Sequence, residues 1–160
     1  MKKLLSAVAG IGLFVSTASA QLTTGAWGIS PGLTFYPGGT TRPLEVGYAV
    51  LDNLRIYGDL ALSTFSGSGT STTGIDFTVG ADYYLWHVES IATFIGGNLG
   101  IGSVSGTGGS TSFLLNPEFG ADYFLSPHFS INGTLGFGLS AGTITTFTTQ
   151  TGLHATWWLK

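Results

Sequence analysis

From residue 26 onward, bulky apolar and small polar side chains alternate one by one along the chain. Residues 117–142, PEFGADYFLSPHFSINGTLGFGLSAG, show the pattern most clearly. In the first half Phe119, Ala121, Tyr123 and Leu125 share one face, and Glu118, Gly120, Asp122 and Phe124 share the other. In the second half Phe129, Ile131, Leu135, Phe137 and Leu139 stand opposite Ser130, Asn132, Thr134, Gly136, Gly138 and Ser140. A period of two is that of a strand, and the break at Ser126-Pro127-His128 makes the stretch a β-hairpin with one greasy and one polar face.

The same unit recurs along the chain. Residues 26–36 form a first strand, with a local bulge expected at Pro31 because proline lacks a ladder donor. Residues 44–50 and 54–64 form a hairpin around Leu51-Asp52-Asn53, and the uncharged run 65–74 (FSGSGTSTTG) reads as a loop. Residues 75–86 and 91–103 pair around His87-Val88-Glu89, residues 106–110 form a further loop, and residues 145–159 are the last strand. GADYYL at 80–85 returns as GADYFL at 120–125, each followed by a tight turn and a Ser-Ile pair, so the chain is an array of like hairpins. The expected architecture is all-β, with eight strands. Connections too short for crossover helices make neighbours antiparallel, and eight strands suffice to close a small barrel.

Alternation leaves open whether the apolar face points inward, as in a soluble barrel, or outward, as in a membrane barrel. Composition decides for outward: the chain is 43% hydrophobic but 8% charged, whereas soluble domains carry roughly a quarter charged residues. Large aromatics concentrate at bilayer interfaces. Trp27, Tyr83, Tyr123 and Trp157 all fall at the strand ends of one rim and form the expected girdle, while Trp86 and Trp158 have inward parity. Residues 1–20 read as a signal peptide, with Lys2-Lys3, an apolar run and Ala18-Ser19-Ala20 before Gln21. Residues 21–160 are then a single barrel domain. No cysteine is present, and after Gln21 the basic residues are Arg42, Arg55 and Lys160. Disulfides, thiolate chemistry and nucleic-acid binding are therefore not expected.

The strand-turn-strand phrase GADYFLSPHFSINGTLGFG resembles the small outer-membrane barrels of the OmpA/OmpX type, and the resemblance runs over the whole chain after Gln21. It implies an eight-stranded up-and-down transmembrane barrel in the outer membrane of a Gram-negative-type bacterium. It also implies outer-membrane lipid and lipopolysaccharide as surroundings, and the outer-membrane assembly machinery as a partner. The expected role is structural or surface-interacting, with no cofactor, no nucleic-acid partner, no catalytic residue and no named extracellular ligand. Two alternatives stand beside it: a lipopolysaccharide deacylase-like enzyme and a narrow, weakly cation-selective pore. Parity places Glu45, Asp59, Asp76, Asp82, Glu118, Asp122 and His154 inside, with Arg55 the lone inward base. Such carboxylates could hold a hard cation, which takes oxygen ligands, but the favoured reading is a hydrogen-bonded polar network with no metal. Within it Arg55 is expected to pair with Asp82, and Glu45 to lie opposite Asp59.

Overall fold

The computed structural model describes residues 22–36, 39–67, 70–106, 109–143 and 145–160. Residues 1–20, expected to be a signal peptide, lie outside them. Eight strands run in order: β1 (Trp27–Tyr36), β2 (Gly39–Leu51), β3 (Leu54–Gly67), β4 (Thr70–Val88), β5 (Ile91–Ser105), β6 (Ser110–Ser126), β7 (Phe129–Ala141) and β8 (Thr145–Leu159). Each pairs antiparallel with its neighbours in sequence, and β1 pairs with β8, closing the sheet into a barrel. Closure removes the free strand edges, so every mid-strand backbone donor and acceptor has a neighbour to bond, the condition for crossing hydrocarbon.

The strands run longer than alternation alone indicates. The run 65–74, expected as a loop, is largely strand: Ser66 pairs with Ser71, and Gly67 with Thr70. Polar, glycine-rich residues give no apolar alternation there, yet the ladder continues once the two strands are in register. Likewise Ser110 to Asn116 extend β6 ahead of the hairpin, and Gly39 to Pro43 extend β2. At Pro31 the expected bulge is not found. Pro31 pairs with Leu44 in the register that holds from Trp27 to Tyr36.

Register does shift at three other places, between Ala49 and Leu51, Tyr84 and Trp86, and Phe124 and Ser126. Each lies just before a short turn and inserts one residue, Val50, Leu85 or Leu125. A bulge flips the parity of the residues beyond it. Trp86, inward by simple counting, is instead opposite Thr93 and 67% exposed, joining the outer aromatics of this rim.

Outside, the barrel is apolar. Along β4 alone Ile75, Phe77, Val79, Tyr83 and Leu85 are 39% to 58% exposed. Ten residue steps span about 33 Å of strand; at a tilt of about 40° that covers roughly the 25 Å apolar band of a transmembrane barrel. Leu99, Ile101, Phe119, Leu135 and Leu153 carry the band around other strands. A soluble barrel would hold these side chains in its core.

Candidate functional site inside the barrel

The interior is layered. Closest to the short-turn rim, Tyr84, Phe94, Phe124 and Trp158 cross the bore with Ala49 and Ala92, each at most 3% exposed. Phe124 and Trp158 stack with centroids 6.4 Å apart, and Tyr84 meets Phe94 at 5.4 Å. The chain entering β1 completes this plug. Leu22 is 2% exposed within it. Gly25, at φ 88°, turns the segment so that its N–H donates to the Ala49 carbonyl (2.8 Å), while the Ala49 N–H donates to that of Ala26 (2.9 Å). A positive φ of this kind favours glycine. Outside the barrel the Asp52 carboxylate accepts from the Thr24 N–H (3.1 Å) and hydroxyl (2.6 Å), which hold it below the usual carboxylate range.

Above the plug lies the charged layer. Arg55, 3% exposed, donates from Nη1 to Glu45 (2.9 Å) and from Nε (3.1 Å) and Nη2 to Asp82. Its guanidinium stands 5.2 Å from the Tyr57 ring centroid and 6.0 Å from that of Trp158. Asp122 accepts from the Tyr84 hydroxyl (2.5 Å) and from Ser130 (3.1 Å), and Ser130 in turn accepts from the Trp158 indole (3.1 Å). The Ser30 and Thr156 hydroxyls share a 2.7 Å bond across the β1–β8 seam. The GADYYL/GADYFL repeat now has a structural meaning. Its two aspartates, Asp82 and Asp122, occupy this layer, its Tyr84 and Phe124 occupy the plug, and its leucines are the bulges.

Toward the loop rim the layer opens into a polar cavity of about 90 Å³. Glu118 accepts from the Tyr57 hydroxyl (2.7 Å), and Asn116 donates to Asn98 (2.7 Å). Glu45 and Asp59 face each other across β2 and β3, Asp59 faces Thr78 across β3 and β4, and Asp76 is one inward position nearer the rim, opposite Ala61. His154 lines the cavity with its Nδ1 buried and unbonded. No three His, Cys, Asp or Glu side chains among the described residues converge as metal ligands. The structure thus brings Glu45, Arg55 and Asp82 into one cluster and sets Asp122, Glu118, Asp59, Asp76 and His154 around it as separate positions.

Sequence reasoning missed Tyr57, Tyr84, Phe94 and Trp158 as working parts of the interior, although each shares parity with the carboxylates. The inward face, read from the sequence as small and polar, is rich in glycine. Those glycines are sockets for large neighbours. A Cβ at Gly80 would come within 2.7 Å of the Tyr57 hydroxyl, one at Gly120 within 2.6 Å of the Phe94 ring, and one at Gly32 within 2.6 Å of His154 Nδ1. Of the girdle residues, Trp27, Tyr83 and Trp157 are about half exposed on the outer face, and Tyr123 is partly covered.

Solved structures with the same architecture include outer-membrane proteins and a de novo designed transmembrane β-barrel. The N-terminal β-barrel domain of Pseudomonas aeruginosa OprF superposes with a TM-score of 0.61 at 12% identity, covering 84% of this chain and 98% of that domain. Neisserial surface protein A gives 0.60 at 15% identity, covering 84% and 94%. The outer membrane enzyme PagL gives 0.54 at 15% identity, covering 81% and 98%. This is the fold of the eight-stranded outer-membrane β-barrels. No protein-family model matches the sequence, and no curated protein is similar to it.

Proposed function

We propose that the chain is an integral outer-membrane barrel with a structural or surface-interaction role, neither an enzyme nor an open channel. The observation that carries this is an apolar outer wall around a bore crossed by Tyr84, Phe94, Phe124 and Trp158. Its surroundings are then membrane lipid and lipopolysaccharide, its delivery depends on residues 1–20 acting as a signal peptide, and its insertion on the outer-membrane assembly machinery. An eight-stranded bore is only wide enough for side chains, and here they fill one end of it.

Cell fractionation tests the reading: the protein belongs with outer membranes and needs detergent for release, and a protein soluble in the periplasm refutes it. Leu99→Arg, at mid-strand on the outer face, is expected to cost about 2 to 4 kcal/mol in lipid, as charges at the bilayer midplane do. The likeness to PagL keeps a lipid-modifying role as the second reading. Against it, His154 faces the interior cavity and not the lipid. Acyl release from lipopolysaccharide by the wild type, lost in His154→Ala, would favour the enzyme.

A further inference from the structure

Among the described side chains, six inward carboxylates stand against one inward arginine, and their partners are unevenly shared. Arg55 holds Glu45 and Asp82, Tyr84 and Ser130 hold Asp122, and Tyr57 holds Glu118. Asp59 and Asp76 have no such donor, and Asp59 Oδ1 is buried without a hydrogen bond. Two further oxygens that line the same cavity are in the same condition. They are Thr78 Oγ1 and Asn132 Oδ1, on side chains that are 5% and 2% exposed. Asp59 and Thr78 are direct cross-strand partners, and Asp76 is the diagonal neighbour of Asp59, within reach of side chains on one wall.

The geometry points to a cation site on this wall: a hydrated divalent cation of the magnesium kind, entering from the loop rim and held by Asp59 and Asp76 with Thr78 beneath. Orphaned buried oxygens and unpaired carboxylates are costly, and a cation with its water shell satisfies both. A ligand set of oxygens alone, from Asp59, Asp76 and Thr78, selects a hard ion. With two carboxylates and no third His, Cys, Asp or Glu converging among the described residues, the site suits an ion that keeps several of its waters rather than a calcium cage. Arg55 and the aromatic plug close the path beyond, so the ion is bound and not passed through. This deepens the proposed function by giving the interior of a surface barrel a ligand, and it rests on the polar face being inside.

The test is a titration of isotope-labelled full-length protein, refolded in zwitterionic micelles, with manganese alone as the paramagnetic probe. Resonances of Asp59, Asp76, Thr78 and Asn132 should broaden selectively and recover when magnesium is added. Asp59→Asn and Asp76→Asn should each weaken manganese binding by about tenfold or more, the effect of losing a charged ligand interaction worth about 1.4 kcal/mol. Should either variant fail to fold, Ala61→Lys serves instead: it sets a tethered ammonium opposite Asp76 and should abolish the broadening. Asp52→Asn, outside the barrel, should change nothing at the four residues. Broadening confined to exposed turns, no broadening, or recovery with potassium at equal ionic strength as complete as with magnesium would overturn the proposal. A protein that stays soluble and monomeric without detergent would overturn the membrane reading as well, whereas a micelle-held barrel that takes no manganese would overturn the cation site alone.

Discussion

Replacing Arg55 with Met removes the one cation that serves two buried carboxylates, and the structure gives the scale of the loss. Three charge-assisted hydrogen bonds disappear, one to Glu45 and two to Asp82, and Asp82 is 0% exposed. Breaking a buried ion pair by deleting one partner costs about 3 to 5 kcal/mol, because the other charge is left uncompensated. Loss of the guanidinium from over Tyr57 and Trp158 adds about 0.5 to 2 kcal/mol. Glu45 borders the polar cavity, where water softens its share, so about 3 to 5 kcal/mol is expected in total. Urea unfolding in lipid vesicles, followed by fluorescence of the four tryptophans, measures it. The triple variant Arg55→Met, Glu45→Gln, Asp82→Asn should recover much of the loss, since no unpaired charge remains. A single-variant loss under about 1 kcal/mol, the value of a solvent-exposed pair, would refute the reasoning, as would a triple variant whose losses simply add.

Three further outcomes are expected. Trp158→Ala should cost about 3 to 5 kcal/mol, as large-to-small changes in packed sites do. It should also open a cation-selective conductance in planar bilayers, because carboxylates line the bore; an anion-selective or unchanged record would contradict the plug. Gly32→Ala should cost about 1 to 3 kcal/mol by overpacking against the His154 ring, and His154→Ala in the same chain should recover it, as a double-mutant cycle would show. The lowered carboxyl of Asp52 adds stability that is present above the unfolded value, about pH 4, and is lost as pH falls through its folded value. Amide protection at Thr24 and Gly25, taken relative to the intrinsic exchange rate, should therefore fall as acid is added below that pH, and in Asp52→Ala it should be low throughout.

Alternation alone determined that Ile75, Phe77 and Val79 point one way and Asp76 and Thr78 the other, and the scarcity of charge on the polar face determined which way is out. Those readings depend only on local backbone geometry and on what water or lipid tolerates, and both are written residue by residue. Parity likewise placed Glu45, Arg55, Asp82 and Asp122 inside, and the distance from the turn at Asp52-Asn53 set Arg55 level with Asp82. That Tyr84 reaches Asp122 and Tyr57 reaches Glu118, each across strands that are not neighbours, comes from registers summed around a closed sheet, which no single hairpin contains. Trp86 faces outward only because an inserted residue at Leu85 reverses its parity. The inward glycines were visible in the sequence, but their purpose was not: Gly80 makes room for Tyr57 and Gly120 for Phe94, one strand away. A glycine carries no mark of the side chain it admits, so only the assembled barrel could show that this bore is plugged at one end and open to a polar cavity at the other.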